Sequence, residues 1–262
     1  MIAQDLKVLE ERSIYIIREA KLKFKNIAAL WSMGKDSTTM LALTRKAFLG
    51  KIPFPVIHID NSIDFPETYV FREWLSKKWN FKVIVGYSDI KPDLVGSACC
   101  GKNKPETLKK IMKEYNFDAL IVSIRRDEHG IRAKERVMSP RDKNFRWNYK
   151  NQPAELWDDY SSKLDVKGHI RVHPLLDWNE IDIWRYVKQE RIPINPLYFS
   201  RNGFRYRSLG CTHCTVALKS NAKNVDDIIS ELSVTKQEER SGRSMDKENE
   251  YVMQRLRALG YM

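Results

Sequence analysis

The sequence predicts an α/β fold: a parallel β-sheet with helices on both faces, followed by an irregular, partly helical C-terminal region. Two observations lead to this prediction. Short apolar runs alternate along residues 5–190 with stretches that have the apolar spacing of amphipathic helices, and such alternation is typical of βαβ units. The 262 residues are 42% hydrophobic, which is enough for a core. We divide them into a domain of residues 1–195 and a region of residues 196–262 packed on it.

The predicted elements follow one another in a regular order. Residues 5–23 have a helical apolar spacing, and the apolar run 27–31 predicts a buried strand. Further strands are predicted at 54–59, 82–86, 119–124 and 170–175, and helices at 38–48, 67–79 and 105–115. A capping-box pattern at residues 177–180 opens a helix that ends near residue 190. Residues 125–167 are charged and loop-like, and helical stretches return after residue 225. Right-handed crossovers place the carboxyl ends of parallel strands at one edge of the sheet, where a site is expected.

Composition narrows the function without deciding it. The chain has no run of 18 apolar residues and its first residues lack the build of a signal peptide, so we predict no membrane span and a cytoplasmic protein. In that compartment cysteines are more often ligands or reactive thiols than disulfides. The net charge of +12 fits either a solvated, lysine-rich surface or a polyanionic partner such as DNA or RNA.

A phosphate loop is predicted between the first strand and the second helix. Its residues are Ser32, Met33, Gly34, Lys35, Asp36 and Ser37. Backbone N–H groups at a helix N-terminus bind anions, the serines add hydroxyl donors, Gly34 permits close backbone approach, and Lys35 adds a positive charge. The spacing is not that of a Walker A loop. The alternative is an ordinary joint between a strand and a helix.

This loop resembles the SGGKDS signature of the PP-loop ATP pyrophosphatases, with Met33 at a position where glycine is usual. The subunit-2 branch of bacterial ATP sulfurylase, in the PAPS reductase superfamily, also has a bulky residue there. Residues 30–41, 53–60, 117–119, 125–136, 151–157, 171–175 and 241–243 are similar to that branch. The resemblance implies an adenine-nucleotide α-hydrolase-like, Rossmann-like fold, with ATP and Mg²⁺ as ligands and attack on the α-phosphate.

The resemblance also implies roles for particular residues. Catalysis is assigned to Lys35, Asp36, Arg125 and Arg126, and nucleotide binding to Ser32, Met33, Gly34, Lys35, Asp36, Ser37, Thr38, Asp60, Arg132 and Arg136. Guanidinium groups suit phosphate or sulfate oxygens. The alternative for the arginines is a solvated helix face paired with Glu128 and Glu135.

The only four cysteines are Cys99, Cys100, Cys211 and Cys214, and four thiolates are the ligand set of a [4Fe–4S] cluster. Their CC and CxxC arrangement is similar to the cluster motifs of [4Fe–4S] adenylylsulfate reductases. A comparable pairing of PP-loop and cluster cysteines occurs in the sulfur-transfer proteins of DNA phosphorothioation. A zinc site and thiols without a ligand are the alternatives.

No cysteine follows Cys214, so a cluster would leave no thiol to act as the reductase nucleophile. We therefore predict an ATP-dependent sulfur transferase that adenylylates a DNA backbone phosphate for phosphorothioation. Its expected partners are a cysteine desulfurase as persulfide donor, DNA and other DNA-modification proteins, and a homodimer is possible. The aromatic and basic residues 204–207 either contact nucleic acid or form a packed loop.

Several alternatives stay open. The chain could be subunit 2 of a sulfate adenylyltransferase, making adenylylsulfate with a GTPase partner. It could instead be a tRNA thiolase, a reductase of adenylylsulfate or phosphoadenylylsulfate, or a non-enzymatic nucleic-acid-binding module.

Overall fold

A six-stranded sheet forms the centre of the molecule. The computed structural model describes residues 2–87, 104–128, 132, 134–148, 152, 155–156, 159–160, 168–235 and 239. The helices are α1 (Ile2–Lys23), α2 (Lys35–Ala47), α3 (Pro66–Trp79), α4 (Lys104–Glu114), α5 (Glu180–Glu190) and α6 (Val225–Val234). The central strands are β1 (Ile27–Leu30), β2 (Val56–Asp60), β3 (Val83–Tyr87), β4 (Ala119–Ile121), β5 (Met138–Arg141) and β8 (His169–Val172). Two short ribbons lie outside this sheet, β6 (Glu155–Leu156) with β7 (Asp159–Tyr160), and β9 (Phe204–Arg205) with β10 (Leu218–Lys219).

The strand order in the sheet is β3-β2-β1-β4-β8-β5. All neighbours are parallel except β5, which runs antiparallel to β8 at the edge. The chain builds outward from β1 to β3 and then returns to the other side of β1 for β4. In such sheets, ligands bind beyond the carboxyl ends of the strands at this reversal point, so the topology places the site between β1 and β4.

Both faces of the sheet are covered, as the sequence predicts. On one face, Ile27 and Ala29 of β1 belong to the larger core, with α1, α2 and α5. On the other face, Ala28 packs in a smaller core with Leu108 and Ile111 of α4. That second packing is close, because a Cβ at Gly86 would lie 2.2 Å from Ile111 Cδ1. The predicted parallel α/β fold is confirmed.

Of the helix starts that differ from the prediction, those of α2 and α5 bear on the site. Helix α2 begins at Lys35, three residues before the predicted start, because the phosphate loop leads directly into its first turn. The capping box of α5 is formed by Asn179 and Asp182, not by residues 177–180. Asp177 instead forms ion pairs with Arg12 and Arg126.

The antiparallel strand β5 lies inside the stretch that the sequence presents as a loop. Its residues are Met138, Ser139, Pro140 and Arg141, and proline and a charged residue argue against a strand. Pro140 is tolerated because β5 is an edge strand, where a missing N–H donor leaves no partner unsatisfied. No helix in the described part of the chain is both long and apolar enough to cross a bilayer.

Candidate active site

The segment between β1 and α2 is shaped to expose a helix N-terminus. Met33 has φ of 55°, in the left-handed region that glycine adopts most readily, and its side chain is buried. Gly34 is the N-cap of α2 and forms no side-chain capping bond. A Cβ on Gly34 would lie 3.3 Å from Ser32 Oγ and from Tyr198 Oη. An N-terminus without a capping side chain leaves backbone N–H groups for an anion.

Hydrogen bonds hold this phosphate loop in place. The backbone N–H of Ser32 donates to Ser37 Oγ at 3.2 Å, and Ser37 Oγ lies 3.1 Å from the Gly34 carbonyl, to which it donates. The backbone N–H of Lys35 donates to Tyr198 Oη at 2.9 Å. Thr38, predicted to contact nucleotide, is fully buried and accepts a bond from the indole of Trp31 at 3.1 Å. Thr38 thus supports the loop from behind.

Two buried cations, Lys35 and Arg125, meet at the phosphate loop. The carboxylate of Glu239 contacts both of them. Arg125 also contacts Asp36. Lys35 Nζ lies 3.3 Å from Asp36 Oδ2 and 3.8 Å from Glu180 Oε1. The structure therefore brings together Lys35, Asp36 and Arg125, three of the four residues predicted to be catalytic.

The ionic network keeps these groups charged. Burial by itself lowers the pKa of Lys35, but attraction to Glu239 and then Glu180 outweighs it and raises that pKa. Burial likewise opposes ionisation of Glu239, but Lys35 and Arg125 hold the pKa of that carboxyl well below its usual range. Opposite charges at close range favour the charged form of each partner. At neutral pH the loop is thus flanked by two full positive charges.

A cavity of about 560 Å³ lies at the carboxyl ends of the strands, where the topology predicts it. This volume is in the range of small-molecule sites. The phosphate loop forms its middle, through Ser32, Gly34 and Ser37. His58 and Asp64 line it on the β2 side, and Arg132 and Arg171 line it on the side of β4 and β8.

The predicted arginines separate into two groups. Arg125 pairs with Asp36 beside the phosphate loop but is itself outside the cavity lining, whereas Arg132 lines the cavity and pairs with Glu128. Arg126 pairs with Asp177 and is not part of the cavity lining. Arg136 is also outside the lining, and its carbonyl oxygen lies 2.7 Å from His173 Nδ1. Asp60, predicted to approach the nucleotide, is bound by Tyr69 and Arg72 and is also outside the lining.

One cavity arginine has no carboxylate partner among the residues that the structure describes. Arg141 pairs with Glu135 at 2.6 Å, and Arg132 pairs with Glu128. Arg171 lies across from them on β8, and its buried Nε has no hydrogen-bond partner within the described residues. Burial, and then repulsion from Arg141, lowers the pKa of Arg171 to about 10, and the weaker attraction of Glu135, which is paired with Arg141, only partly opposes this. The β8 side of the cavity therefore carries a positive charge that an anion would neutralise.

Residues 204–207 form a packed structure. Arg205 is buried and pairs with Glu231. Arg207 Nε and Nη2 lie 3.0 and 2.8 Å from Glu180 Oε2. Because both guanidinium groups are engaged inside the protein, the loop alternative describes this segment better than nucleic-acid contact.

The second pair of cysteines lies in one tight turn. Cys211 and Cys214 are both buried, and the N–H groups of Cys214 and Thr215 donate to the Cys211 carbonyl at 3.2 and 3.1 Å. The turn is attached to the loop after β2, because the backbone N–H and the hydroxyl of Thr212 both donate to the Ile63 carbonyl at 2.9 Å. Cys99 and Cys100 lie outside the described residues.

Sequence reasoning missed three members of the site: Glu180, Arg171 and Glu239. Glu180 was interpreted only as part of a capping pattern, and Arg171 only as part of a similar segment. The similarity at residues 241–243 was the one signal near Glu239. In each case the role depends on contacts that cross long stretches of chain.

The chain belongs to the family described as the phosphoadenosine phosphosulfate reductase domain, whose model matches residues 26–217. Among its relatives is "Sulfate adenylyltransferase subunit 2" of Psychromonas ingrahamii, which is 40% identical over 98% of this chain and 97% of its own length. The proteins of the same name from Baumannia cicadellinicola and Ectopseudomonas mendocina are 39% and 40% identical at the same coverage.

Solved structures agree on the fold. FMN adenylyltransferase of Candida glabrata in complex with ATP has a TM-score of 0.61, 20% identity, and covers 93% of this chain and 89% of its own. The PAPS reductase of Candida auris has a TM-score of 0.54, 18% identity, and covers 82% of this chain and 96% of its own. At these identities the likeness shows the PP-loop, adenine-nucleotide α-hydrolase-like fold alone.

These relatives overturn the prediction of sulfur insertion into DNA. Relatives of about 40% identity along almost the full chain are named sulfate adenylyltransferase subunit 2, which favours the alternative function. A cysteine desulfurase and DNA were expected as partners only because of that prediction, so nothing supports them any longer. Four cysteines and a positive charge favoured DNA, but similarity spread over almost the whole chain is the stronger signal. The structure adds a physical reason, since the basic segment 204–207 is engaged in internal ion pairs.

Proposed function

We propose that this chain transfers the adenylyl group of ATP to sulfate and releases pyrophosphate, as one subunit of a sulfate adenylyltransferase. The observation that carries the proposal is the position of Lys35 and Arg125, two buried cations beside the uncapped N-terminus of α2. The phosphate loop that leads into this helix lines the 560 Å³ cavity through Ser32, Gly34 and Ser37. The full-length similarity to proteins named sulfate adenylyltransferase subunit 2 supports sulfate as the acceptor.

The reaction requires positive charge near the pyrophosphate that leaves. A sulfate oxygen attacks the α-phosphorus, the bond from that phosphorus to the bridging oxygen breaks, and its electron pair leaves with pyrophosphate. Lys35 and Arg125 would bind the pyrophosphate oxygens, together with the N–H groups of α2. Preorganised cations stabilise the charge that grows there in the transition state. Glu239 neutralises the same two cations, so incoming phosphates compete with its carboxylate.

The acceptor would enter from the β8 side of the cavity. In-line displacement places the attacking and leaving oxygens on opposite sides of the phosphorus. With pyrophosphate at the loop that follows β1, the other side faces Arg132 and Arg171. Arg171 has no carboxylate partner among the described residues, so a sulfate dianion bound beside it would compensate a buried charge.

The relatives' name also supports a partner. They are called subunit 2, so we propose that this chain works with a second, different subunit. ATP, bound with Mg²⁺, is the proposed nucleotide substrate.

We propose as well that Cys211 and Cys214, with Cys99 and Cys100, hold a [4Fe–4S] cluster. The two described cysteines fit half of such a site, because both are buried in one turn. A cluster ligated by four cysteines has no open iron and would act structurally or electrostatically. Iron and sulfide analysis of anaerobically purified protein tests this. We expect Cys211→Ser to lose both elements, and zinc bound in place of iron in the wild type would contradict the cluster.

Sulfate-dependent exchange of labelled pyrophosphate into ATP tests the function. The chain would be purified with the subunit it binds in its own cells. We expect Lys35→Ala to lower exchange by about 10²–10³-fold, the usual loss when a transition-state donor is removed. Lys46→Ala is the matched control on the same helix, since Lys46 lies at the surface in ion pairs with Glu10 and Glu190. Exchange that persists in Lys35→Ala, or that needs no sulfate, would contradict the proposal.

A further inference from the structure

Three potential metal ligands converge at the end of β2. His58 and Asp60 lie two residues apart on that strand, so their side chains share one face, and Asp64 lies in the loop that follows. One ligand atom of each residue lies within 4.8 Å of the others. His58 and Asp64 also line the cavity, so an ion could reach them.

His58 is oriented as a metal-binding histidine. Its Nδ1 lies 3.4 Å from the backbone carbonyl oxygen of Trp31. A carbonyl can only accept, so Nδ1 carries the proton and the lone pair is on Nε2. A second hydrogen bond of this kind fixes the tautomer of most histidines that bind metals. Nε2 is buried and has no hydrogen-bond partner among the described residues.

The lone pair of His58 faces a carboxylate. Nε2 lies 3.8 Å from Asp64 Oδ2, so two acceptors point at each other in a buried place. A buried acceptor without a donor costs free energy, and a cation bound between these two atoms would remove that cost.

The surrounding contacts hold the ligands in place. Asp60 Oδ1 accepts from the Ser62 backbone N–H at 2.7 Å and from Tyr69 Oη at 3.0 Å. Asp60 Oδ2 lies 3.3 Å from Arg72, so Asp60 shares its charge with that guanidinium and is the weakest of the three ligands. The two bonds from Thr212 to the Ile63 carbonyl fix the loop directly before Asp64.

We propose that His58, Asp60 and Asp64 bind one divalent transition-metal ion through His58 Nε2 and the two carboxylates. One imidazole with two carboxylates suits Mn²⁺, Fe²⁺ or Zn²⁺, whereas Mg²⁺ prefers oxygen ligands alone. Metal–ligand distances of about 2.0–2.2 Å require the three groups to close by a fraction of their present separation. The side of the ion that faces the cavity stays open to a substrate oxygen. The site does not depend on which acceptor receives the adenylyl group.

The test is Co²⁺ alone, titrated into the anaerobically purified full chain after dialysis against a weak chelator, which leaves cysteine-bound metal in place, and followed by equilibrium dialysis and visible absorption. We expect one equivalent with the weak absorption of nitrogen and oxygen ligands, without the intense band of a cobalt–thiolate bond. Asp64→Asn, which is nearly isosteric, and His58→Ala should each lose that equivalent. Zn²⁺ should raise the Tm of the wild type and leave the Tm of Asp64→Asn unchanged.

Two controls separate this site from the cysteines. Cys211→Ser and His213→Ala, whose histidine is exposed beside the cysteines, should both keep the equivalent. The proposal is overturned if the wild type takes up no Co²⁺ with nitrogen and oxygen ligands. It is also overturned if Asp64→Asn and His58→Ala retain it, or if Cys211→Ser alone abolishes it.

Discussion

Replacing Arg171 by methionine should make the protein more stable and a poorer enzyme. Methionine keeps a long apolar stem and removes the guanidinium. Arg171 is the cavity arginine without a carboxylate partner in the described chain, and its Nε is buried without a hydrogen bond. A residue kept at a cost to folding is expected at a binding site, where the ligand supplies the missing charge.

The gain in stability follows from the pKa of Arg171, which burial and repulsion from Arg141 lower from 12.5 to about 10. Each pKa unit corresponds to about 1.4 kcal/mol. At any pH below the folded pKa, keeping Arg171 charged therefore lowers the free energy of unfolding by up to roughly 3 kcal/mol. The side chain is partly exposed to the cavity, and solvent there screens the charge. We therefore expect the free energy of unfolding to rise by about 1–2 kcal/mol in urea denaturation.

The variant should lose affinity for sulfate and keep its affinity for ATP. A charge-assisted hydrogen bond contributes about 1.5–3 kcal/mol, so the KM for sulfate should rise about 10- to 150-fold. The Kd of ATP should stay the same, because the phosphate loop is untouched. Arg171→Lys, which keeps the charge, should recover part of the sulfate affinity.

Arg141→Met is the matched control, because Arg141 is buried but paired with Glu135. Removing one partner of a buried pair costs about 3–5 kcal/mol, so this variant should lose stability. If Arg171→Met also loses stability, the reasoning about an uncompensated charge is wrong. If its KM for sulfate is unchanged, the acceptor does not bind on the β8 side of the cavity.

Three further predictions concern the phosphate loop and one buried histidine. Glu239→Gln should bind ATP about tenfold more tightly in calorimetry, a gain of about 1.4 kcal/mol, because the carboxylate that competes for Lys35 and Arg125 is removed. Weaker binding would contradict the idea that Glu239 and the phosphates of ATP compete for the same two cations. Gly34→Val has an allowed backbone, since φ of −76° and ψ of 163° suit a β-branched residue, but its Cβ would lie 3.3 Å from Ser32 Oγ and Tyr198 Oη, so these side chains must shift. In the folded variant, checked by circular dichroism, the side chain should obstruct the helix N-terminus and weaken ATP binding at least about tenfold; unchanged binding would place the phosphates elsewhere. His173 has its pKa lowered by burial to about 3, so stability is lost as pH falls below the unfolded value of 6.5, by about 2 kcal/mol between pH 7 and pH 5. In urea denaturation, the unfolding free energy of His173→Asn should fall between pH 7 and pH 5 by about 2 kcal/mol less than that of the wild type. An equal fall in both proteins would show that His173 is not the cause.

Much of the fold could be predicted because parallel strands are buried on both faces and stand out as apolar runs. Ile27 to Leu30 is an example, and the loop after it has a recognisable spacing of Gly34, Lys35 and Asp36. The edge strand β5 could not be predicted, since Pro140 and Arg141 carry the pattern of a loop and only pairing with β8 makes them a strand. Local signals describe local structure, and an edge strand is determined by its neighbour.

The candidate site was only partly predictable for the same reason. Lys35, Asp36 and Arg125 were found, because each belongs to a recognisable segment. The arginines 125, 126, 132 and 136 looked equivalent in the sequence, yet of these four only Arg132 lines the cavity, and Arg125 lies beside the phosphate loop. Whether a side chain lies at the cavity depends on the path of the folded backbone, and this path cannot be read from the residue types.

By itself, the sequence determined the parallel α/β architecture and the position of the phosphate loop, because both follow from patterns within a few consecutive residues. Only the tertiary structure decided which charges compensate each other. Glu239 contacts Lys35 across 204 residues, Glu135 pairs with Arg141, and Arg171 forms no ion pair with a carboxylate among the described residues. Charge balance in a buried site depends on distances of a few ångströms between segments far apart in the chain, and these distances exist only once the chain has folded.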